Sequence, residues 1–144
     1  MRNISPYLLF NGQAQEAFDF YKSVFGGEFG MVQKFKEVPE EDRERGGIKG
    51  EEGEKLIHIS LPVGRFVLMG SDAPESRRVD MGNNFSISLE TDSKEEAGKV
   101  FQALSEDGEV TMPLSDTFWG AYYGMLRDKF GIGWMVGYTY PKEK

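Results

Sequence analysis

A chain of 144 residues, 39 % of them hydrophobic and including eleven Phe, six Tyr and two Trp, has the size of one ordinary domain and enough apolar mass for a real core, which excludes general disorder. The formal charge of −7 excludes a nucleic-acid surface, since that needs Lys and Arg to neutralise phosphates, and the absence of cysteine excludes disulfides, thiolate metal sites and thiol nucleophiles. No apolar run approaches the ~20 residues that span a bilayer, and no secretory pattern opens the chain, so a soluble cytoplasmic protein is expected.

Residues 4–10 form a short apolar run ending at Asn11-Gly12 and read as a strand. Over residues 13–25 the spacing predicts a helix, with Ala14, Ala17, Phe18, Tyr21 and Phe25 on one face and Gly26-Gly27 as its stop. Residues 28–35 read as a second strand. Residues 36–55 are dominated by charge and read as a solvated loop. Strands are predicted over 56–61 and 66–69, around a turn at Pro62-Val63-Gly64-Arg65. Residues 70–82 read as a linker. Phe85, Ile87 and Leu89 alternate with Ser86 and Ser88, the pattern of a strand with one face buried. Ser93 and Glu96 are spaced as a capping box at the start of a helix over 93–105, whose buried stripe is Ala97, Val100, Phe101 and Leu104. Strands near 109–114, 122–127 and 133–140 complete the chain.

The order strand, helix, strand, strand, strand therefore occurs twice. Short segments repeat as well. Gly27-Glu28-Phe29-Gly30-Met31 answers Gly108-Glu109-Val110-Thr111-Met112, and residues 64–70 answer residues 131–137 through their bounding glycines. The expected fold class is α+β: two βαβββ modules in tandem, forming a curved, partly closed antiparallel sheet around a central cavity. A single domain of residues 1–144 would hold module one (1–72), a linker (73–82) and module two (83–144).

Particular residues carry a family resemblance. Ser5-Pro6-Tyr7-Leu8-Leu9-Phe10-Asn11-Gly12, Ala17-Phe18-Asp19-Phe20-Tyr21, Thr117-Phe118-Trp119-Gly120 and Asp128-Lys129-Phe130-Gly131 with Trp134-Met135 resemble the PhnB-like branch of the vicinal oxygen chelate superfamily, which includes glyoxalases and bleomycin-resistance proteins. Metal-dependent members place His or Glu at four inward strand positions. The resemblance sets those positions at Pro6, Leu68, Ser86 and Met135, none of which suits a hard or borderline divalent cation. No metal and no other cofactor is therefore expected. Some relatives carry a ubiquinone-methyltransferase label, but no Gly-x-Gly-x-x-Gly loop supports S-adenosylmethionine binding here. The resemblance also implies a homodimer.

His58 is the one histidine and the one imidazole available for proton transfer near neutral pH; it reads either as a hydrogen-bonded structural residue or as a catalytic base. Trp119, with Phe118, Tyr122 and Tyr123, reads either as core or as a wall on which a ligand stacks. Asp72, Asp116 and Asp128 read as turn anchors. Arg77 and Arg78 read as solvated, or as a clamp for an anion. The expected function is small-molecule binding in a cavity lined by Pro6, His58, Leu68, Met69, Ser86, Trp119, Tyr122 and Met135, without the superfamily's metal. The alternative is an enzyme acting on a small oxygenated substrate, with His58 as general base or metal ligand.

Overall fold

The computed structural model describes residues 1–142 and divides into two units, Met1–Asp80 and the residues from Met81 onward. Residues 143 and 144, assigned above to the second module, lie outside the described residues. Each unit is a βαβββ module, and the eight strands form two separate four-stranded sheets rather than a closed barrel.

The first unit contains β1 (Tyr7–Phe10), α1 (Ala14–Phe25), β2 (Val32–Lys34), α2 (Glu40–Gly46), β3 (Leu56–Val63) and β4 (Phe66–Asp72), in the sheet order β1-β4-β3-β2. The expectation of a wholly antiparallel sheet is corrected: β2, β3 and β4 pair antiparallel, but β1 runs parallel to β4. Parallel neighbours need a long crossover, and here α1 lies within it. Ala14, Ala17, Phe18 and Tyr21 recur at helical spacing and are fully buried. A Cβ at Gly70 would lie 2.7 Å from Phe18 Cε1 and 2.8 Å from the Leu8 carbonyl oxygen, so the helix rests on β4 at a point only glycine fits.

Gln13, the residue before α1, makes no side-chain cap. The cap comes instead from Asp72 at the far end of β4, which is only 4 % exposed. Its Oδ1 accepts from the Gly12 and Ala14 N–H groups, each at 2.9 Å, and its Oδ2 accepts from the Leu56 N–H at 2.9 Å. One carboxylate thus satisfies two otherwise orphaned donors at the entry to the helix and ties them to the starts and ends of two strands.

The charged stretch read as a loop is more structured than expected. It forms α2 and two short 3-10 turns, and it buries Phe35 and Glu52. Glu52 Oε1 accepts from the Glu75 N–H at 2.8 Å, which fastens this segment to the residues after β4. Asn11 and Val79 exchange two further hydrogen bonds of 2.9 Å each. The residues read as a linker therefore belong largely to the first unit, and the division falls at Asp80–Met81.

The second unit contains β5 (Ser86–Glu90), α3 (Lys94–Ser105), β6 (Glu109–Asp116), β7 (Ala121–Arg127) and β8 (Gly133–Thr139), ordered β5-β8-β7-β6, with β5 parallel to β8. Ala97, Phe101 and Leu104 of α3 are buried, and Val100 is half-buried. Gly124 lies under Phe101 as Gly70 lies under Phe18. This helix carries its own cap: Ser93 Oγ accepts from the Glu96 N–H at 3.0 Å, and Glu96 Oε1 accepts from the Asp92 N–H at 2.8 Å. Buried Asp128 accepts from the Phe130 and Ile132 N–H groups and from Trp134 Nε1–H. Asp116 receives the Tyr140 hydroxyl.

Asp72→Ala should destabilise the fold by more than about 3 kcal/mol, because three backbone donors lose their acceptor. Ser93→Ala should remove only about 1 kcal/mol. Urea unfolding of both variants measures the contrast. Glu54 gives a second expectation. Hydrogen bonds from Lys34 Nζ (2.6 Å) and Lys36 Nζ (2.7 Å) hold its carboxyl at about 2. A carboxyl depressed on folding stabilises above its unfolded value of about 4.3, and that contribution fades as pH falls towards 2. Carboxyl carbon NMR should show Glu54 charged below pH 4, and the stability difference between wild type and Glu54→Gln should shrink through that window.

Candidate functional site

A strand sends alternate side chains to opposite faces, and each sheet has one helix against one face. In the first unit Leu8, Phe10, Leu61 and Leu68 are buried, together with Gly70 beneath Phe18. Tyr7, Met69 and Ser60 stand in one cross-strand row on the other face. Leu68 pairs with Leu61 on the helix side, and Pro6 precedes β1 in step with buried Leu8. Two expected cavity residues, Pro6 and Leu68, are thus on the helix side, while Met69, expected in the cavity as well, holds a helix-free place beside Tyr7. A shift of one residue exchanges every side chain between faces.

His58 lies at an irregularity. Gln33 pairs with His58 but Lys34 pairs with Leu56, which leaves Ile57 as an extra residue in β3. Leu56, Ile59 and Leu61 are buried while Ile57 and His58 are both half-buried, so the expected alternation fails at this bulge. Tyr7 Oη lies 3.1 Å from His58 Nδ1, with ring centroids 5.7 Å apart. This contact occupies one imidazole nitrogen and leaves Nε2 for another partner.

In the second unit Leu126, Trp134 and Val136 are buried towards α3. Ser88, Met135, Met125 and Met112 form a continuous row of direct partners across β5, β8, β7 and β6 on the opposite face. Ser86 shares that face, its Oγ lying 2.7 Å from where a Cβ on Gly133 would stand. The β6–β7 loop carries Phe118, 98 % exposed, and Trp119, 55 % exposed, with their rings edge to face at 5.0 Å. Trp119 also contacts Tyr123 at 5.6 Å. Gly120 turns this loop at φ 86°.

Tyr122, expected beside Trp119, lies apart from that cluster, with Lys94 Nζ of α3 4.7 Å from its ring centroid. Tyr123, expected there as well, keeps its place beside Trp119. Burial raises the Tyr123 phenol above its ordinary value, so it remains a neutral hydroxyl at neutral pH. Tyr7, Met112 and Met125 are the face residues that sequence reasoning missed. Gly124 and Leu126 held the signal, since residues that pack under a helix fix the parity of their neighbours. Arg77 and Arg78 are engaged locally: Arg77 donates to the Arg45 carbonyl at 3.3 Å, and Arg78 pairs with Glu75 at 3.3 Å.

The internal repeat is real in part. Met31 exchanges hydrogen bonds with Ser60, its N–H donating to Oγ at 2.9 Å and its carbonyl accepting from the Ser60 N–H at 3.0 Å. Met112 likewise stands opposite Met125. The match between residues 64–70 and 131–137 fails by one residue, because Gly70 faces a helix and Gly137 shares the face of Glu90 and Tyr123.

Two βαβββ modules, each with one helix packed on its sheet and one helix-free sheet face, define the class. A family model for the glyoxalase/bleomycin resistance protein/dioxygenase superfamily matches residues 3–136, and the chain belongs to that superfamily. Among solved structures, protein PA1353 from Pseudomonas aeruginosa is 40 % identical, with a TM-score of 0.85 over 96 % of this chain and 98 % of that one. A PhnB protein from Bacillus cereus is 27 % identical, with a TM-score of 0.76 over 96 % of this chain and 100 % of that one. Protein YjdN of Escherichia coli K12 is 28 % identical over 137 residues, 92 % of each chain.

The donor set for the metal of metal-dependent superfamily members does not fit. Among the described residues no three His, Cys, Asp or Glu side chains come together to hold an ion. Met69, Ser86, Ser88 and Met135 on the helix-free faces of β4, β5 and β8 offer thioethers and hydroxyls, poor ligands for a hard or borderline divalent cation, and the Glu90 carboxylate on β5 accepts from the Thr139 N–H at 2.6 Å. No helix of the described residues is long and apolar enough to cross a membrane.

Proposed function

We propose that this protein binds a small, flat or cationic organic molecule on the helix-free face of its second sheet, without the superfamily's divalent metal. The observation that carries this reading is the grouping of Trp119 and Tyr123 beside a sheet face holding Ser86, Ser88 and Met135. Trp119 is more than half exposed, and aromatic faces attract cations as well as other rings. The thioethers offer a deformable apolar floor, and the hydroxyls can orient a polar substituent. The net charge of −7 favours a cation over an anion.

A second reading rests on the Tyr7–His58 contact. In the tautomer whose Nδ1–H donates to the Tyr7 hydroxyl oxygen, the contact fixes the imidazole and leaves Nε2 to accept a proton, the arrangement a general base requires. In either reading the protein acts as a cytoplasmic homodimer, with a small molecule as its partner and neither nucleic acid nor membrane.

Thermal shift with a panel of aromatic, cationic and apolar compounds tests the first reading. At least one compound should stabilise the protein, and Trp119→Ala should weaken it about tenfold, or about 1.4 kcal/mol. A panel with no stabilising member would end that reading. For the second, His58→Ala should abolish turnover of a small oxygenated substrate while circular dichroism stays unchanged. Equal activity of variant and wild type would remove His58 from the chemistry.

A further inference from the structure

The helix-free face of the second sheet holds a feature that ligand stacking does not require. Met112, Met125 and Met135 are direct cross-strand partners on β6, β7 and β8, so three thioethers stand side by side across adjacent strands. Strands lie about 4.8 Å apart, and directly opposed side chains have Cβ atoms about 5 Å apart. All three residues are half-buried.

The register shows how the third sulfur enters the row. Val110 pairs with Leu126, and a regular antiparallel ladder would then set Thr111 opposite Met125. A bulge between Val110 and Met112 advances β6 by one residue and brings Met112 there instead. A second irregularity, between Met112 and Ser115, follows at once, and β6 meets Tyr123 through Ser115. Two bulges bracketing one residue re-aim that side chain, a device found at sheet edges and beside functional sites. Here they exchange a hydroxyl for a thioether.

Thioether sulfur is a soft, uncharged donor that selects monovalent copper and similar d10 ions over zinc, magnesium or calcium. The chain has no cysteine, so no thiolate of its own competes for such an ion, and its net charge of −7 raises the local cation concentration. We propose that Met112, Met125 and Met135 form a binding site for one soft monovalent metal ion, Cu(I) or its heavier congener Ag(I). This site shares Met135 and the thioether floor with the organic ligand proposed above but does not rest on that reading: the tests below read the metal through Met112 and Met125, and failure of either proposal leaves the other standing.

The probe is Ag(I) alone, added as nitrate in chloride-free buffer to the full chain and followed by calorimetry and silver X-ray absorption. One equivalent should bind, with sulfur as the nearest scatterer. Leucine preserves an apolar side chain of similar volume and removes only the sulfur. Met125→Leu and Met112→Leu should therefore each lower the affinity at least tenfold, with circular dichroism and melting temperature unchanged. Met81→Leu, which removes a thioether outside the row, should bind as wild type does. Affinity unaltered in Met125→Leu and Met112→Leu, nitrogen or oxygen ligation, or Zn(II) binding as tightly as Ag(I) would each overturn the proposal. Absence of saturable Ag(I) binding would do the same.

Discussion

One helix per four-stranded sheet is the constraint from which the rest follows. Phe18 with Tyr21, and Phe101 with Leu104, bury the apolar stripe of a single helix against a single sheet face. Once that face is set, the period of two assigns every strand residue to one side or the other. Leu68, Gly70, Gly124, Leu126, Trp134 and Val136 serve the core. Tyr7, Ser60, Met69, Ser88, Tyr123, Met125 and Met135 are left over from packing and so carry whatever chemistry the protein performs. The two glycines under Phe18 and Phe101 fix this choice, because a larger residue at either point would lift the helix from its sheet.

The elements themselves were legible in the sequence because their signals are local. Helical spacing of apolar residues, the Ser93–Glu96 box and the glycine stops located α1 and α3. The parallel pairing of β1 with β4 and of β5 with β8 was not legible, since it depends on how far-apart segments meet. The sheet face of each residue was legible or not by parity. The alternation of Ser86 and Ser88 with Ile87 and Leu89 gave their face directly. Adjacent tyrosines at 122 and 123 gave no such cue, and Trp119 was grouped with both although only Tyr123 meets it. His58 lies beside an inserted residue, and bulges leave no mark in apolar periodicity. The charged stretch between β2 and β3 was misread because its order comes from the Glu52 carboxylate and Phe35 rather than from an apolar pattern.

The two modules share one architecture, and the chemistry of their helix-free faces differs. In the first unit the row runs Tyr7, Met69, Ser60 and Met31, with His58 drawn to Tyr7. In the second it runs Ser88, Met135, Met125 and Met112. Methionine is common to both, while imidazole belongs to one and an aromatic hairpin tip to the other. Membership of the superfamily therefore describes the scaffold, and the side chains of these two rows describe the individual protein.

The two helices also differ in where their starting signals lie. Lys94 follows its cap directly, whereas the N–H groups at the head of α1 wait for a carboxylate 58 to 60 positions downstream. During synthesis the first helix emerges long before Asp72 does, and a nascent chain cut short of that residue cannot complete its end. The C-terminal half can begin ordering from neighbouring residues alone, while the N-terminal half depends on a distant loop closure. Vectorial translation thus delivers first the half that must wait for its own last strand, which makes the early ribosome-bound segment the stage most exposed to chaperones and proteases.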